Sequence, residues 1–288
     1  MKKKITGEKI FDVFNVIFML MVIVATAYPF LYVVMASFSD PSALAKYQGL
    51  LIVPLKPITL EAYAMTFKLP QLLKGFLNTF FVVGVGVAVN MVMTTLGAYF
   101  LSMDGPIWKD VIAFMVVFTM YFSGGMIPSY LNVRDLGLMD SRWALILPGA
   151  INVTNMIILR TAFQSVPKSL KEAAEIDGAS VIQILFKVML PLAKSTLAVL
   201  ILYYGVEYWN SWFEASIYLI DKNKYPIQLI VQNLLSSLTS MEDLGDLTQY
   251  IELVRYALMV VTTLPILILY PFLQKYFEKG VMIGALKG

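Results

Sequence analysis

The sequence predicts an all-α polytopic membrane protein, a single transmembrane domain over residues 1–288. Hydrophobic residues make up 59% of the chain and charged residues only 14%, whereas a soluble domain carries about 25% charged residues. Six separate stretches also have about the length of apolar sequence that a helix needs to cross a bilayer. So few charges cannot cover a water-soluble globule of this size, so the lipid bilayer is the expected surrounding.

Each predicted span follows from its own composition. The first three carry no charged residue, the fourth is short and lies between Arg142 and Arg160, and the fifth contains Glu207 and Glu214. The sixth is interrupted by two prolines, which spans tolerate because neighbouring helices satisfy the freed carbonyl groups. The predicted spans are Val13–Ser39, Gly75–Met103, Val111–Val133, Trp143–Leu159, Ser195–Ile220 and Tyr256–Gln274.

The positions of Lys and Arg predict the orientation. With six spans, both termini lie on one side of the membrane, and that side holds 13 of the 22 basic residues against 9 on the other. Basic loops favour the cytoplasm, so both termini and the segment at 165–191 are predicted to be cytoplasmic. The basic N-terminus precedes an apolar stretch too long for a signal peptide, which predicts a retained first span.

Several classes of chemistry are excluded by composition. The chain has no Cys and no His, which removes disulfides, thiol chemistry, zinc sites and histidine acid–base catalysis. No nucleotide-binding motif G-x-x-x-x-G-K-[ST] is present, so the chain does not hydrolyse ATP itself. The net charge of +3 gives no indication of nucleic acid binding. No catalytic residue and no metal ligand is predicted.

The cytoplasmic segment at 165–191 is polar in an otherwise apolar chain. Ser169 is predicted to cap a short helix, with Glu172 completing a capping box, and Gly178 to end that helix in the left-handed region. A second helix then carries an apolar stripe and ends at Pro191; the stripe consists of Val181, Leu185 and Met189. From these residues alone, the segment is either a docking element for another protein or a solvated helical loop.

The spacing within this segment resembles the EAA loop of bacterial ABC-importer permeases. Glu172-Ala173-Ala174 is followed after three residues by Gly178, and Leu190-Pro191 closes the pattern, with Val188 where the family has Ile. The Asp177-Gly178-Ala179 continuation is similar to the carbohydrate-uptake branch of that family.

Further positions extend the resemblance over most of the chain. Phe186 also fits the carbohydrate-uptake branch, and the region of Pro167 and the stretch Tyr208-Trp209-Asn210 are similar to the maltose-type permeases with six spans. The last ten residues, 279–288, resemble a subgroup linked to complex and uronic-acid-containing oligosaccharides.

The resemblance implies the fold of an ABC type I importer permease in the bacterial cytoplasmic membrane. It implies import of oligosaccharides that an extracellular solute-binding protein delivers, through a heterodimer with a second permease subunit. It also implies two cytoplasmic ATPase subunits, which hold the ATP and Mg, so that this chain binds no cofactor. The implied coupling residues are Glu172, Ala173, Ala174, Asp177, Gly178, Ala179, Leu190 and Pro191.

The fifth span contains the candidate substrate pathway. Sugars are bound by aromatic faces together with hydrogen-bonding side chains, and an ionisable residue within a span usually faces a cavity or a partner. The candidates are Tyr204, Glu207, Tyr208, Trp209, Asn210 and Trp212. Alternatively, the aromatic residues form a belt at the membrane interface. In the fourth span, Asn152 and Asn155 either line the pathway or bond across helices.

Three other functions compete with this interpretation. An ABC permease for amino acids or peptides is disfavoured by the aromatic fifth span and by Asp177-Gly178-Ala179. A membrane enzyme such as a glycosyltransferase is disfavoured because His is absent and no acidic cluster lies on the cytoplasmic side outside the loop. A stand-alone secondary transporter is disfavoured because no repeated halves are visible.

Overall fold

The computed structural model describes residues 7–239, 251–268 and 271, and these residues form helices without any strand. The all-α prediction is therefore confirmed. The helices are α1 (Gly7–Ser37), α2 (Pro41–Lys46), α3 (Glu61–Phe67), α4 (Pro70–Ser102), α5 (Lys109–Tyr121), α6 (Met126–Asp135), α7 (Trp143–Ile146), α8 (Val153–Gln164), α9 (Lys168–Ile176), α10 (Val181–Ile184), α11 (Leu190–Leu192), α12 (Lys194–Trp209), α13 (Trp212–Tyr218), α14 (Ile227–Thr239) and α15 (Ile251–Ile268). A π-helical turn, Leu185–Met189, joins α10 to α11, and a 3₁₀ turn, Lys222–Lys224, precedes α14.

Within the described residues, three helices are long and apolar enough to cross a membrane alone: α1 from Phe11 to Ser37, α4 and α15. Two further pairs reach that length together but are bent. The pair α5 and α6 bends by 117°, and the stretch 181–192 followed by α12 bends by 84°. The first bend lies at Gly124 and Gly125, where Gly125 has φ +85°, a conformation that favours glycine.

The fourth predicted span, Trp143–Leu159, is wrong as a continuous helix. α7 ends at Ile146 and α8 begins only after Asn152, whose side-chain oxygen accepts a hydrogen bond from the Asn155 N–H at 3.2 Å. Pro148 and Gly149 lie in the break, and both residue types disfavour a helix interior. Asn152 therefore acts as the N-terminal cap of α8. Its polarity alone had suggested that it could line the substrate pathway.

Two other predicted spans also differ from the structure. The fifth, Ser195–Ile220, is interrupted between α12 and α13 at Asn210 and Ser211. The sixth, Tyr256–Gln274, begins earlier, because α15 starts at Ile251, and apart from Pro271 its end lies outside the described residues.

The chain falls into two compact units. The described residues of the first are 7–70, 233–239 and 251–264, with a core of Ala36, Leu44, Leu51, Ala62, Leu253 and Ala257. Inside this unit the Tyr63 and Ser37 hydroxyls lie 2.7 Å apart, and the Tyr28 hydroxyl accepts the Leu51 N–H at 3.2 Å. The side chains from Phe11 to Ala27 on α1 are exposed, as expected for a helix surrounded by lipid or other proteins.

The second unit contains residues 71–232, with 265–268 and 271. One of its clusters, around Phe163, Leu185 and Met189, lies next to the segment at 165–191. Another, around Val82, Ile146 and Tyr208, joins α4, α7 and α12. Six of the buried residues of α4 stand four positions apart, so each lies close above the one before it along the helix; they are Asn78, Val82, Gly86, Asn90, Thr94 and Ala98.

Candidate functional site

The first helix of the segment at 165–191 begins one residue before Ser169, the predicted cap. α9 starts at Lys168, and Pro167 precedes it in an extended conformation with ψ 130°. Proline is pre-set for a helix start and has no N–H to satisfy. Ser169 therefore lies inside the first turn, where it cannot act as a cap, and the predicted Ser169–Glu172 capping box is wrong.

The predicted role of Gly178 is confirmed by the end of α9. Gly178 has φ +76°, and its N–H donates to the Glu175 carbonyl at 3.0 Å, while the Ala179 N–H donates to the Ala174 carbonyl at 2.9 Å. These two bonds form a Schellman motif, which satisfies carbonyl groups that the helix end leaves open. The motif fixes the direction in which the chain leaves α9.

The capping box in this segment lies at the start of the second short helix. The Ser180 Oγ accepts the Gln183 N–H at 3.3 Å, and the Gln183 Oε1 accepts the Ser180 N–H at 2.8 Å. Both ends of the three-residue connection Asp177–Ala179 are thus closed by hydrogen bonds within the segment. The connection between the two helices is held as a turn of defined geometry.

The apolar stripe predicted for the second short helix, Val181, Leu185 and Met189, is only partly present in the structure. Leu185 and Met189 are buried, Ile184 is buried with them, and Val181 is 56% exposed. The residues at 185–189 form a π-helical turn, in which each N–H bonds to the carbonyl five residues back. Residues spaced four apart therefore do not stay on one face of the helix through this turn.

Pro191 does not end the second helix where the sequence suggested. Helical structure continues through α11 to Leu192, and the bend of 84° into α12 follows at Ala193. Because proline has no N–H, it removes one hydrogen bond on the C-terminal side of the π turn. The chain therefore changes direction two residues after Pro191.

Contacts to the rest of the second unit hold the segment in place. The Tyr99 hydroxyl on α4 donates to the Val181 carbonyl at 3.1 Å, and the Lys168 Nζ lies 3.0 Å from the Asp104 Oδ2. The Lys168–Asp104 hydrogen bond lowers the pKa of Asp104 and raises the pKa of Lys168. Both residues are well exposed, so this pair orients the segment more than it stabilises it.

The coupling residues implied by the resemblance divide between two faces of the segment. Ala174, Ala179 and Leu190 are half-buried against the cluster around Phe163. Glu172, Ala173, Asp177, Gly178 and Pro191 are exposed.

Several large apolar side chains are exposed on the same segment. They are Leu170, Ile176 (86% exposed), Val181, Ile182 (68% exposed) and Phe186. We call these residues, together with Glu172 and Ala173, the docking surface. Exposed apolar side chains that are contiguous and mixed with charge mark sites of protein interaction.

A set of buried hydrogen bonds joins α4 to α12, and we call its members Asn90, Thr94, Tyr204 and Tyr208 the polar seam. The Tyr204 hydroxyl lies 2.6 Å from the Thr94 hydroxyl and accepts the Asn152 N–H at 3.3 Å. The Tyr208 hydroxyl donates to the Asn90 Oδ1 at 2.9 Å, and the Asn90 Nδ2 donates to the Gly149 carbonyl at 2.9 Å. Asn90 and Thr94 were not among the predicted residues, although their spacing in an apolar helix is a signal that the sequence offers.

The polar seam supports the break between α7 and α8. Residues 147–152 are not helical, and backbone groups at membrane depth must find partners within the protein. The side chains of Asn90 and Tyr204 supply such partners to Gly149 and Asn152. These side-chain hydrogen bonds therefore take the place of the backbone hydrogen bonds that a continuous helix would have formed at Gly149 and Asn152.

Three of the candidate pathway residues are not available to a solute in this structure. Tyr204 and Tyr208 are buried within the polar seam, with exposed fractions of 0% and 6%. Trp209 is also buried, and its ring centroid lies 5.8 Å from that of Phe80. Their placement is corrected accordingly: these aromatic rings pack between helices of the same chain, because α4 covers that face of α12.

The other candidates of the fifth span are exposed. Glu207 and Asn210 share an exposed face of α12 with Tyr203, and Trp212 is exposed at the start of α13. The Asn210 Nδ2 donates to the Val206 carbonyl at 2.9 Å. In the fourth predicted span, Asn152 is the cap of α8 and Asn155 is buried.

A polar clasp joins two loops that the sequence places on the outer side. The Asp140 Oδ1 accepts the backbone N–H groups of Ile220 and Asp221 at 3.0 and 2.9 Å, and the Lys224 Nζ lies 2.6 Å from the Asp140 Oδ2. These bonds, of which that to the Asp221 N–H is the largest cause, lower the pKa of Asp140 to about 2. Asp140 has φ +54°, a conformation that aspartate and asparagine tolerate better than most residues.

We expect Asp140→Asn to lower the apparent melting temperature of the purified protein at pH 7. Asparagine tolerates the same backbone conformation and keeps one acceptor oxygen, so the change removes the charge and with it the bond that Lys224 Nζ donates to Oδ2. Because the folded-state pKa lies below the usual value of about 3.9, the contribution of the charge is fully present above pH 4 and is lost as the pH falls towards 2. The difference between the two proteins should therefore shrink below pH 4 in thermal melts.

Asp135→Asn is the matched control for this prediction, because Asp135 is well exposed and its ion pair is with the adjacent, exposed Arg134. Its melting temperature should stay near that of the wild type. Equal melting temperatures of the wild type and Asp140→Asn at pH 7 would show that the clasp does not contribute to stability.

Comparisons with known proteins agree with this arrangement of helices. Residues 2–283 match the family described as "Binding-protein-dependent transport system inner membrane component". The chain is 40% identical over 288 residues to the polygalacturonan/rhamnogalacturonan transport system permease protein YtcP of Bacillus subtilis (strain 168), covering 98% of this chain and 99% of that protein.

Solved structures show the same fold. One chain of a bacterial ABC transporter involved in the import of the acidic polysaccharide alginate is 32% identical, with a TM-score of 0.88, and the match covers 96% of this chain and all of that one. A second chain comes from a bacterial alginate ABC transporter in complex with an alginate pentasaccharide-bound periplasmic protein. It is 17% identical with a TM-score of 0.57, covers 92% of this chain and 94% of that one, and bears on the fold alone.

Proposed function

The chain belongs to the family of binding-protein-dependent transport system inner membrane components, and on this premise we propose the cargo, partners and working parts of this member. As a member of the family it is the permease subunit of an ABC importer, and ATP hydrolysis belongs to a separate subunit. The proposal is that it imports uronate-containing oligosaccharides. It works as a heterodimer with a second permease, on two ATPase subunits that bind the ATP and Mg.

The observation that carries the coupling role is the construction of the segment at 165–191. It presents the docking surface on two short helices whose junction is closed by the Schellman motif and the Ser180–Gln183 capping box. Its inner face packs on the unit's core, and Tyr99 holds it to α4. An element fixed in this way can pass a displacement from an ATPase to the spans, whereas a flexible loop would absorb it.

The cargo class rests on the relatives and on the exposed polar face of α12. The matched permease of Bacillus subtilis is named for polygalacturonan and rhamnogalacturonan, and the 32% identical structure serves the acidic polysaccharide alginate. Both are polymers that carry carboxylates. The resemblance of residues 279–288 to a uronate subgroup points the same way, although those residues lie outside the described ones.

We further propose that the solute-binding protein docks on the outer side and that both termini are cytoplasmic. The excess of basic residues on the side of the termini supports this orientation. It places the docking surface in the cytoplasm with the ATPases and the Asp140–Lys224 clasp at the outer face.

Co-expression with candidate partners and reconstitution into proteoliposomes would test the proposal. We expect the assembled importer to take up trigalacturonate in the presence of ATP and a liganded solute-binding protein. Glu172→Lys, which reverses an exposed charge of the docking surface, should reduce copurification of the ATPase. Uptake by this chain alone would overturn the proposed assembly with partner subunits. Normal ATP-driven uptake by both single variants, Glu172→Lys and Gly178→Val, would overturn the coupling role of the segment at 165–191.

A second experiment addresses the pathway, for which the exposed candidates are Glu207, Asn210 and Trp212. The chain has no native cysteine, so Glu207→Cys and Asn210→Cys can be labelled without background. We expect both to react with a water-soluble thiol reagent in at least one stage of the ATP cycle, and Tyr204→Cys, at a buried position, to stay unreactive. If neither 207 nor 210 reacts at any stage, this face of α12 is a packing surface.

Transport by two further variants tests the same face. A hydrogen bond to a sugar hydroxyl is worth about 1 kcal/mol, so Asn210→Ala should weaken uptake several-fold without blocking assembly. An ionised Glu207 would repel a uronate. For that cargo the carboxylate must be neutral, paired with a cation of the second permease or turned away, and Glu207→Gln would then leave uptake unchanged or raise it.

A further inference from the structure

A cavity of about 280 Å³ opens between the segment at 165–191 and the end of α4. The buried side chains of Phe163 and Met189 form part of its wall. Its polar lining comes from α4, the loop after α4, α8 and α9, and consists of Ser102, Asp104, Gln164, Lys168 and Lys171. Ligand pockets commonly measure about 300–1,000 Å³, so a cavity of this size suits one small group and is too small for an oligosaccharide.

The cavity carries an excess of positive charge. Lys168 lies 3.0 Å from the Asp104 carboxylate, so these two charges offset each other. Lys171 has a side chain only 27% exposed, and its ion pair with Glu175 is long, at 4.0 Å. Lys168 is the main cause that lowers the pKa of Asp104, and Lys109 and Lys171 lower it further. Three ammonium groups therefore act on one site that contains a single carboxylate.

The cavity lies where the membrane ends. Its lining includes Ser102, the last residue of the spanning helix α4. In the loop that follows, Ile107 is 92% and Trp108 is 68% exposed, and the Lys109 Nζ donates to the carbonyl of Met103, which also lines the cavity. Tryptophan is enriched at the membrane–water interface, and lysine near the end of a span extends into the headgroup layer. Exposed apolar and basic side chains together at this depth indicate contact with phospholipid.

We propose that this cavity binds the phosphate of an anionic phospholipid headgroup. Lysine binds phosphate as a point charge, and basic pockets beside spanning helices bind anionic headgroups. The exposed apolar residues of the neighbouring loop then lie against the acyl chains. Because Lys168 and Lys171 belong to α9, the bound headgroup ties the segment at 165–191 to the end of α4, in addition to the hydrogen bond from Tyr99 to Val181. The site does not depend on which solute the importer carries.

The test uses the delipidated, detergent-purified full chain, titrated with dioleoyl phosphatidylglycerol, and native mass spectrometry counts the bound lipid. The wild type should retain this lipid more tightly than dioleoyl phosphatidylcholine, which has the same phosphate and no net charge. Loss of one lysine near an anionic lipid weakens binding by roughly fivefold. Lys171→Gln and Lys109→Gln should each show that loss, and Lys171→Arg should bind like the wild type. Lys194→Gln is the matched control, at an exposed lysine that begins α12 and does not line the cavity.

Inorganic phosphate and glycerol phosphate distinguish a lipid from a soluble anion. Both carry the phosphate without acyl chains, so millimolar concentrations should neither displace phosphatidylglycerol nor raise the apparent melting temperature. Phosphatidylglycerol should raise that temperature by several degrees in the wild type and by less in Lys171→Gln. If glycerol phosphate stabilises the wild type and not Lys171→Gln, the cavity binds a soluble phosphate and the lipid assignment is overturned.

Three other results would also overturn the site. Equal retention of phosphatidylglycerol and phosphatidylcholine would show that charge does not decide binding. Unchanged binding in both Lys171→Gln and Lys109→Gln would show that the lipid binds elsewhere on the chain. The same count on the complex with the second permease and the ATPase should again find the lipid, and its loss on assembly would mean that a partner subunit covers the cavity.

Discussion

Gly178→Val is expected to abolish most of the transport while leaving the amount of protein in the membrane near normal. A Cβ at this position would meet no atom within 4 Å, so the effect does not come from a steric clash. It comes from the backbone, because φ is +76° and an L-residue in the left-handed region costs about 1–2 kcal/mol. Valine is branched at Cβ and is especially unsuited to that region.

The strain acts on the coupling geometry. It can be relieved only by giving up the two hydrogen bonds at the end of α9, from the N–H groups of Gly178 and Ala179. A penalty of 1–2 kcal/mol shifts the population of the native turn by roughly 5–30-fold. We expect a comparable loss in ATP-driven uptake, measured in proteoliposomes, with a parallel loss of ATPase copurification.

Two control variants make this prediction specific. Gly178→Asn should retain most of the uptake, since asparagine tolerates the left-handed conformation. Gly205→Ala, at a glycine in α12 with open space around it and no positive φ, should behave like the wild type. Equal uptake by Gly178→Val and the wild type would mean that the direction of the chain after α9 does not matter for coupling.

The segment at 165–191 shows which local features can be predicted from the sequence and which cannot. Gly178 was predictable because a glycine after a polar helix has one strong explanation, a left-handed end. The cap was misplaced because both Ser169 and Ser180 precede a Glu or Gln by three residues, and only the local backbone decides between them. The π turn at 185–189 has no pattern in side-chain type that distinguishes it from an ordinary helix.

The aromatic residues of the fifth span illustrate a different limit. Tyr204 and Tyr208 have the composition of a sugar site, and composition does not show which face another helix covers. The partner residues were visible in the sequence, since Asn90 and Thr94 stand four positions apart in an uncharged span. Their pairing with residues more than 100 positions away depends on the tertiary structure, as does the break that they satisfy between α7 and α8.

The clasp was missed for a related reason. Lys224 was counted only as a loop charge that sets the orientation, and Asp140 was not considered. The four bonds around Asp140 form because two loops separated by about 80 residues come together.

Gly86→Val is expected to lower the thermal stability of the protein well below that of a substitution at Gly84, the glycine two residues earlier in α4. A Cβ on Gly86 would lie 2.6 Å from two carbons of the Tyr208 ring, and Tyr208 is buried. Overpacking of this kind costs about 1–3 kcal/mol. If the ring moves, the Asn90 Oδ1 loses its donor, and a buried acceptor without a partner costs about 1–3 kcal/mol more.

The measurement is the apparent melting temperature of the detergent-purified protein, followed by size-exclusion chromatography after heating. Gly84→Ala is the matched control two residues earlier in α4, because its Cβ would meet nothing within 4 Å. Tyr208→Leu in the Gly86→Ala background should cost less than the sum of the single changes, since the smaller side chain removes the clash. Additive losses, or a Gly86→Val protein as stable as Gly84→Ala, would show that Tyr208 is free to leave the polar seam, and would make this ring available to the pathway after all.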